Sequence, residues 1–431
     1  MTAERAPAAG RRVQLAAAIV AMVCIAPLQY SWTLFTTPLE QQNPWSLPQV
    51  QLAFTFFIVA QTLSQPLGGY FMDRRGPRLA FIVAAALIVV GWGGLGVTGS
   101  RPLFYALYSL AGVGAGIVYA GAIGTGIRWF PNRRGLALGL IAAGFGVGAA
   151  PFTPFVHRLL ESYGVRPAFV VTGLVIGAAV LVVGLLLKTP PARPVAVTQA
   201  TGPGAAADLP AYEGLAPPDG PVAAALPAAH EGLAPLGLLR LGQFWLAFVA
   251  FFCMATGLLI LTANTRPIGE DFGIAASVIV VALVLQQVLN GASRVVWGWV
   301  SDRFGREITM TVAFALTGLF LCLIPAFGSW PPAFVFLTAM VYFTGGEMFA
   351  LFPALTADRF GSRYAAANQG MLYTAKGLAS LAGGAFAAWL ALTQSWAVVF
   401  VLAGALAFSA AGLMVAIGRQ ARPAPEAATR A

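Results

Sequence analysis

Apolar residues run along this chain in long blocks, each wide enough to cross a bilayer and none with the alternation of a half-buried strand. At about 20 apolar residues per crossing, hydropathy predicts helices at 13–36, 48–72, 79–99, 102–127, 134–160 and 165–187. A second set follows at 243–265, 274–299, 308–327, 332–354, 364–391 and 395–417. Between the sets the polar positions are not periodic. Residues 188–242 are dominated by Pro, Ala and Gly (PPARPVAV, GPGAAADLP, LAPPDGP), a composition that buries no apolar stripe and reads as a disordered cytoplasmic linker. The predicted organisation is a tail (1–12), a six-helix half (13–187), the linker (188–242), a second six-helix half (243–417) and a second tail (418–431).

Composition agrees with the pattern. Of 431 residues 58% are hydrophobic and 9% charged, with a mean hydropathy of +0.79, whereas a soluble domain carries about 25% charge. A soluble enzyme is excluded, and so is a β-barrel, whose strands show short period-two segments. The first apolar run starts near Val13 and is too long for a cleaved signal. Cys24, Cys253 and Cys322 all fall inside apolar runs, so no disulfide framework is expected. No metal-ligand spacing or nucleotide motif is present, and no cofactor is expected.

The net charge of +10 would suit nucleic acid, but its distribution points elsewhere. Placing the even-numbered connections and both termini on one side gathers most Lys and Arg there and leaves Arg101, Arg158, Arg166 and Arg266 on the other. By the positive-inside rule both termini are cytoplasmic. The basic charge is a topology signal, and a nucleic-acid partner is not expected.

An internal repeat marks the two halves. GYFMDRRGPR (Gly69–Arg78) follows span 2 and GWVSDRFGRE (Gly298–Glu307) follows span 8, both of the form G-x-x-x-D-R-x-G. This resembles the loop signature of the major facilitator superfamily. It nominates Gly69, Asp73, Arg74 and Gly76, with Gly298, Asp302, Arg303 and Gly305, as a conformational latch. The Asp would face the positive end of a helix and the Arg an acidic or carbonyl group.

Two cations remain inside predicted spans. Arg294 lies eight residues before Asp302, about 12 Å along a helix, and Lys376 lies near the middle of span 11. A charge at such depth costs about 2.5–3.5 kcal/mol on insertion scales and normally faces the bundle interior. The pair is expected to line a central cavity and bind an anion, Arg as a bidentate fork and Lys as a point charge. Glu347 is the one acidic residue well inside a span. The first half offers neutral groups instead: Gln29, Tyr30 and Trp32 in span 1, Gln51, Gln61 and Gln65 in span 2, and Tyr119 in span 4.

At these residues the resemblance narrows. LQYSWTLF, SQPLGGYFMDRRGPR, GAGIVYAGAIGTGIRWFPNRRGLALG, NGASRVVWGWVSDRFGR, ALFPALTADRFG and TAKGLASLAGG together resemble the oxalate/formate antiporter branch of the superfamily, over all twelve spans. The resemblance implies an all-α membrane protein with the major facilitator fold, twelve transmembrane helices in two six-helix halves of 3+3 inverted repeats. It implies a multi-pass inner-membrane antiporter of small carboxylates such as oxalate and formate, working by alternating access in the lipid bilayer. Since one chain holds a complete pathway, a monomer should suffice. Arg294 and Lys376 would hold the carboxylates, with Gln29, Tyr30, Tyr119 and Gln51 around them.

Departures from the branch are also visible. Aromatic residues with a polar handle are replaced by Phe145, Gly345 and Phe349, which predicts a less polar pocket, enlarged on the span 10 side. Glu347 stands where the branch has a small residue. If ionised near Lys376 it would reduce the site charge from +2 to +1, favouring a monocarboxylate, or it would cycle a proton in a proton-coupled monocarboxylate symporter. Tyr108 occupies the span 4 position where many proton-driven members carry Arg, which favours exchange. A carboxylate sensor on a transporter scaffold is the alternative from another class, but the linker and tail are too short and biased to hold a signalling domain. Paired interior cations disfavour a sugar or cationic-drug facilitator. An intramembrane enzyme would need catalytic pairs that the spans lack.

Overall fold

The computed structural model describes residues 8–130, 134–188, 233, 235–361 and 365–420. Twelve helical segments alternate in direction. Span 1 is α1 (Ala8–Tyr30) and α2 (Trp32–Gln42), broken at Ser31, whose N–H bonds back to Pro27. Spans 2 and 3 are α3 (Leu47–Arg75) and α4 (Pro77–Ile88), the latter prolonged by a π turn at Val89–Gly93. Span 4 is α5 (Arg101–Trp129), span 5 is α6 (Arg134–Val147) with α7 (Thr153–Tyr163), and span 6 is α8 (Val165–Leu186). A single turn, α9 (Pro235–Leu238), precedes the second half. There, spans 7 to 9 are α10 (Gly242–Asp271), α11 (Ala276–Phe304) and α12 (Arg306–Phe327). Span 10 is α13 (Pro331–Gly345) with α14 (Met348–Phe360). Span 11 is α15 (Ala365–Leu381), a π turn (Ala382–Phe386) and α16 (Ala387–Thr393), and span 12 is α17 (Trp396–Arg419).

Among the described residues, ten helices are long and apolar enough to cross a membrane, and the shorter apolar helices Pro77–Gly93 and Ala137–Val147 supply the remaining two spans. The chain is a multi-pass membrane protein. Pairing repeats between the halves: α3 packs on α5 as α11 packs on α13, and α4 packs on α8 as α12 packs on α17. Among the described residues the most extensive cross-half contacts are α6 with α11, α3 with α15 and α2 with α10.

Glycine sets how near these helices come. A Cβ at Gly112 of α5 would lie 2.5 Å from the Phe57 carbonyl oxygen, and one at Gly116 would collide with the Gln61 main chain. This small-xxx-small stripe presses α5 onto α3 and fixes the height of Gln61. Facing aromatic rings fill the far end of the first half. Tyr108 stacks between Trp32 (4.6 Å) and Phe57 (4.5 Å) and donates its hydroxyl to Leu28 O.

The linker reading holds less well at its end. Leu233 is buried, donates its N–H to Phe360 O at 3.0 Å and accepts from Asn368 Nδ2, and Leu238 of α9 is fully buried. These two leucines anchor the segment to the second half, which composition averaged over the Pro-rich stretch conceals. Residues 189–232 and 234 of the linker, and 1–7 and 421–431 of the tails, lie outside the described residues; α1 begins at Ala8, ahead of the expected start.

Candidate functional site

Both halves meet around a narrow cavity. Tyr30, Gln61, Gln65, Tyr119 and Phe145 line it from the first half, and Arg294, Phe349, Tyr373 and Lys376 from the second. Its free volume of about 10 Å³ holds roughly one water.

Both interior cations are here and both are 5% exposed. Lys376 donates Nζ to Gln29 Oε1 at 3.2 Å and to Gln61 Oε1 at 3.0 Å. Arg294 reaches across the halves, donating Nη1 to the Ala142 carbonyl, while its Nε has no protein partner. Every one of these acceptors is neutral and belongs to the first half. Among the described residues no carboxylate pairs with either cation. The Phe349 ring stands between the two, its centroid 5.3 Å from the Arg294 guanidinium and 5.8 Å from Lys376 Nζ.

The remaining walls are rings and amides. Phe145 meets Tyr30 at 5.4 Å and Tyr119 at 5.6 Å between centroids. Tyr30 accepts a hydrogen bond from Asn290 Nδ2 at 3.1 Å, another link between halves. Directly beside this, α6 and α11 touch glycine to glycine: a Cβ at Gly146 would stand 2.9 Å from the Gly291 main chain. Two buried cations with donors to spare, in a ring-walled cavity, can hold an anionic group in place of the neutral oxygens.

Most residues nominated from the sequence converge on this point: Arg294, Lys376, Gln29, Tyr30, Tyr119, Phe145 and Phe349. Gln51 does not. It accepts from Trp32 Nε1 at 3.0 Å and donates to Ala263 O and Asn264 Oδ1. Ten residues before Gln61 on one helix, it stands about 15 Å away along the axis, too far to share the cavity. Gln61, the actual partner of Lys376, carries the better signal in the sequence, since Gln61 and Gln65 are one turn apart on one face. Tyr373, a turn before Lys376, completes the wall.

Glu347 and Gly345 also fall outside the cavity. Glu347 caps the break between α13 and α14, fully buried, with neither carboxylate oxygen hydrogen-bonded. It stands two residues before Phe349, yet only the phenylalanine lines the cavity. A Cβ at Gly345 would meet Leu258 of α10 at 3.2 Å. Leu258 fills the side on which an enlarged pocket was expected.

The latch is described for the second half only, because the side chains of Asp73 and Arg74 lie outside the described residues. Gly76 (φ 82°) and Gly305 (φ 88°) each end one helix and begin the next in a conformation open only to glycine. Asp302 accepts from Arg306 Nη1 at 3.0 Å, Arg306 reaches Asp358 at 3.4 Å, and Arg359 pairs with Glu307 at 2.8 Å. Arg303 instead lies over the Trp299 ring at 4.0 Å. The ion pairs of this corner therefore run through Arg306 and Arg359. Gly69 and Gly298 have open space where a Cβ would stand, so close packing does not demand glycine at either.

At the opposite end, the 7–8 corner fastens the halves together. Arg266 donates Nη1 to Leu34 O at 2.7 Å and Nε to Glu270 at 2.7 Å, while Thr37 donates to Glu270 Oε2 at 2.5 Å.

Comparison with known proteins places this arrangement. The model of the Major Facilitator Superfamily matches residues 17–266 and 253–431. The oxalate:formate antiporter of Oxalobacter formigenes is 37% identical over 415 residues, covering 95% of this chain and 92% of that one. Monocarboxylate transporter 13 of Bos taurus is 24% identical over 371 residues, 84% of this chain and 78% of the relative. Monocarboxylate transporter 12 of Rattus norvegicus is 26% identical over 368 residues, 80% and 73% respectively. These relatives are transporters, not enzymes.

Proposed function

The chain belongs to the major facilitator superfamily, and from that premise we propose that it exchanges small carboxylates of the oxalate and formate kind across the membrane. The observation that carries this reading is the convergence of Arg294 and Lys376 on one cavity between the halves, both buried and neither paired with a carboxylate. An isolated buried charge is costly, and a substrate carboxylate offsets that cost for each cation. The similarity to the oxalate:formate antiporter supports the substrate class.

The way the halves are tied supports alternating access. All hydrogen bonds from the two cations cross from the second half to the first. A carboxylate that takes the place of Gln29, Gln61 or the Ala142 carbonyl releases one half from the other and lets them rock about the α6–α11 glycine contact. The proposed setting is the inner membrane, with both termini in the cytoplasm and a monomer as the working unit.

A second reading, proton-coupled monocarboxylate uptake, is favoured by one observation, the buried and unbonded carboxyl of Glu347. One experiment separates the two. Purified protein in liposomes preloaded with oxalate, formate or neither is offered labelled oxalate. Uptake only against an internal carboxylate is expected. Accumulation driven by a pH gradient with no internal carboxylate would replace exchange by proton coupling, and no uptake under any of the three loads would overturn the substrate class.

A further inference from the structure

The end of the bundle that carries Ala8 and Arg419 holds a second cleft, unconnected with the central site. It is about 280 Å³ and is lined by Arg75, Gly76, Pro77, Arg78, Leu187 and Lys188. Its three cations come from places more than a hundred residues apart in the chain. The left-handed turn at Gly76 puts Arg75 at the end of α3 and Arg78 in the first turn of α4. Lys188 follows α8, which packs against α4.

The Lys188 position is built, not incidental. Gln14 of α1 donates Nε2 to Leu186 O at 3.1 Å and accepts the Lys188 N–H at 2.9 Å. Trp129 donates Nε1 to the Lys188 carbonyl at 3.2 Å. Both sides of this main-chain unit are thus fixed by side chains from two other helices. The floor is apolar, with Pro77 and Leu187 buried. Among the described residues none of the three cations is paired with a carboxylate. The start of α4 adds the positive end of a helix dipole.

What lies beneath the cleft selects the ligand. Below it α4 and α8 present Leu79, Ile82 and Val83, and Val182, Leu185 and Leu186, all exposed. Cations above and a greasy double stripe below match a phosphate carried on acyl chains. We propose that this cleft binds the phosphate of an anionic phospholipid, tying the span 2–3 turn to the end of span 6.

The full-length protein in detergent is titrated with phosphatidylglycerol, phosphatidylcholine or inorganic phosphate while thermal unfolding is followed. Phosphatidylglycerol is expected to raise the midpoint saturably. At about fivefold in affinity per cation, the triple variant Arg75→Gln, Arg78→Gln, Lys188→Gln should need roughly a hundredfold more lipid, whereas Arg419→Gln should match the parent. Should the triple variant be less stable in phosphatidylcholine, Lys188→Gln alone decides, with an expected loss of about fivefold. A phosphatidylglycerol response unchanged by these substitutions overturns the site. A response reproduced by inorganic phosphate, with no further gain from the lipid, overturns the lipid as its ligand.

Discussion

The two halves share a helix order and a pairing scheme but divide the chemistry of the central site unequally. The first half contributes Gln29, Tyr30, Gln61, Gln65, Tyr119 and Phe145, none of them charged, whereas both cations stand on α11 and α15 of the second. The repeat accounts for the scaffold and not for the charge. The difference teaches that the cations are held by oxygens they lose whenever the halves part. On the proposed exchange mechanism, substrate binding and half separation draw on the same donors, so that a carboxylate taking them would favour separation without any relay between site and motion.

Removing the charged side of this comparison should have the largest effect. Arg294→Gln and Lys376→Gln are each expected to lower carboxylate uptake at least about a hundredfold, near the upper range for a single hydrogen bond to a charged group, with the amount in the membrane unchanged. Uptake within tenfold of the parent in either variant would break the assignment of substrate to the second half. Next comes the neutral side. Gln61→Ala should lower KM about tenfold by removing an oxygen with which the carboxylate competes for Lys376, while Gln51→Ala, outside the cavity, should leave KM within about twofold. Equal effects would mean that height along α3 does not matter.

Smaller effects are expected where the halves merely touch. Gly146→Ala puts a methyl group against the Gly291 main chain, and overpacking of this kind costs about 1–3 kcal/mol. The turnover rate should fall about fivefold with KM unchanged, measured in the same liposomes. Little change is expected from Glu347→Gln. Because the acid is not among the residues lining the cavity, the preference for oxalate over formate should move less than about threefold, the scale of one modest hydrogen bond. A tenfold shift toward the dianion would place its charge within the substrate's field.

Much of this was legible in the chain, and for definite reasons. Hydropathy located all twelve spans because a bilayer leaves no other place for such runs. Arg294 and Lys376 stood out because charge in a span is costly enough to need a function. The partners were harder to read. Gln51 and Gln61 look alike as letters, and only the rise per residue separates them. Glu347 looked like a neighbour of the cavity because the helix break at Gly345–Glu347 gives no hydropathy signal. The Arg266 corner and the docked Leu233 depend on pairings between distant segments, for which one sequence carries no period.

Two arginines that bridge the halves among the described residues, Arg266 and Arg294, end on main-chain oxygens, those of Leu34 and Ala142. A carbonyl on the main chain survives any side-chain replacement. Mutational tolerance across these contacts is therefore one-sided: residues 34 and 142 are free to drift among side chains of similar volume, while 266 and 294 are not. A survey of all single substitutions would show two rigid positions facing two permissive ones. Anyone seeking to loosen these contacts by design has to alter the arginine, since its acceptor offers nothing to remove.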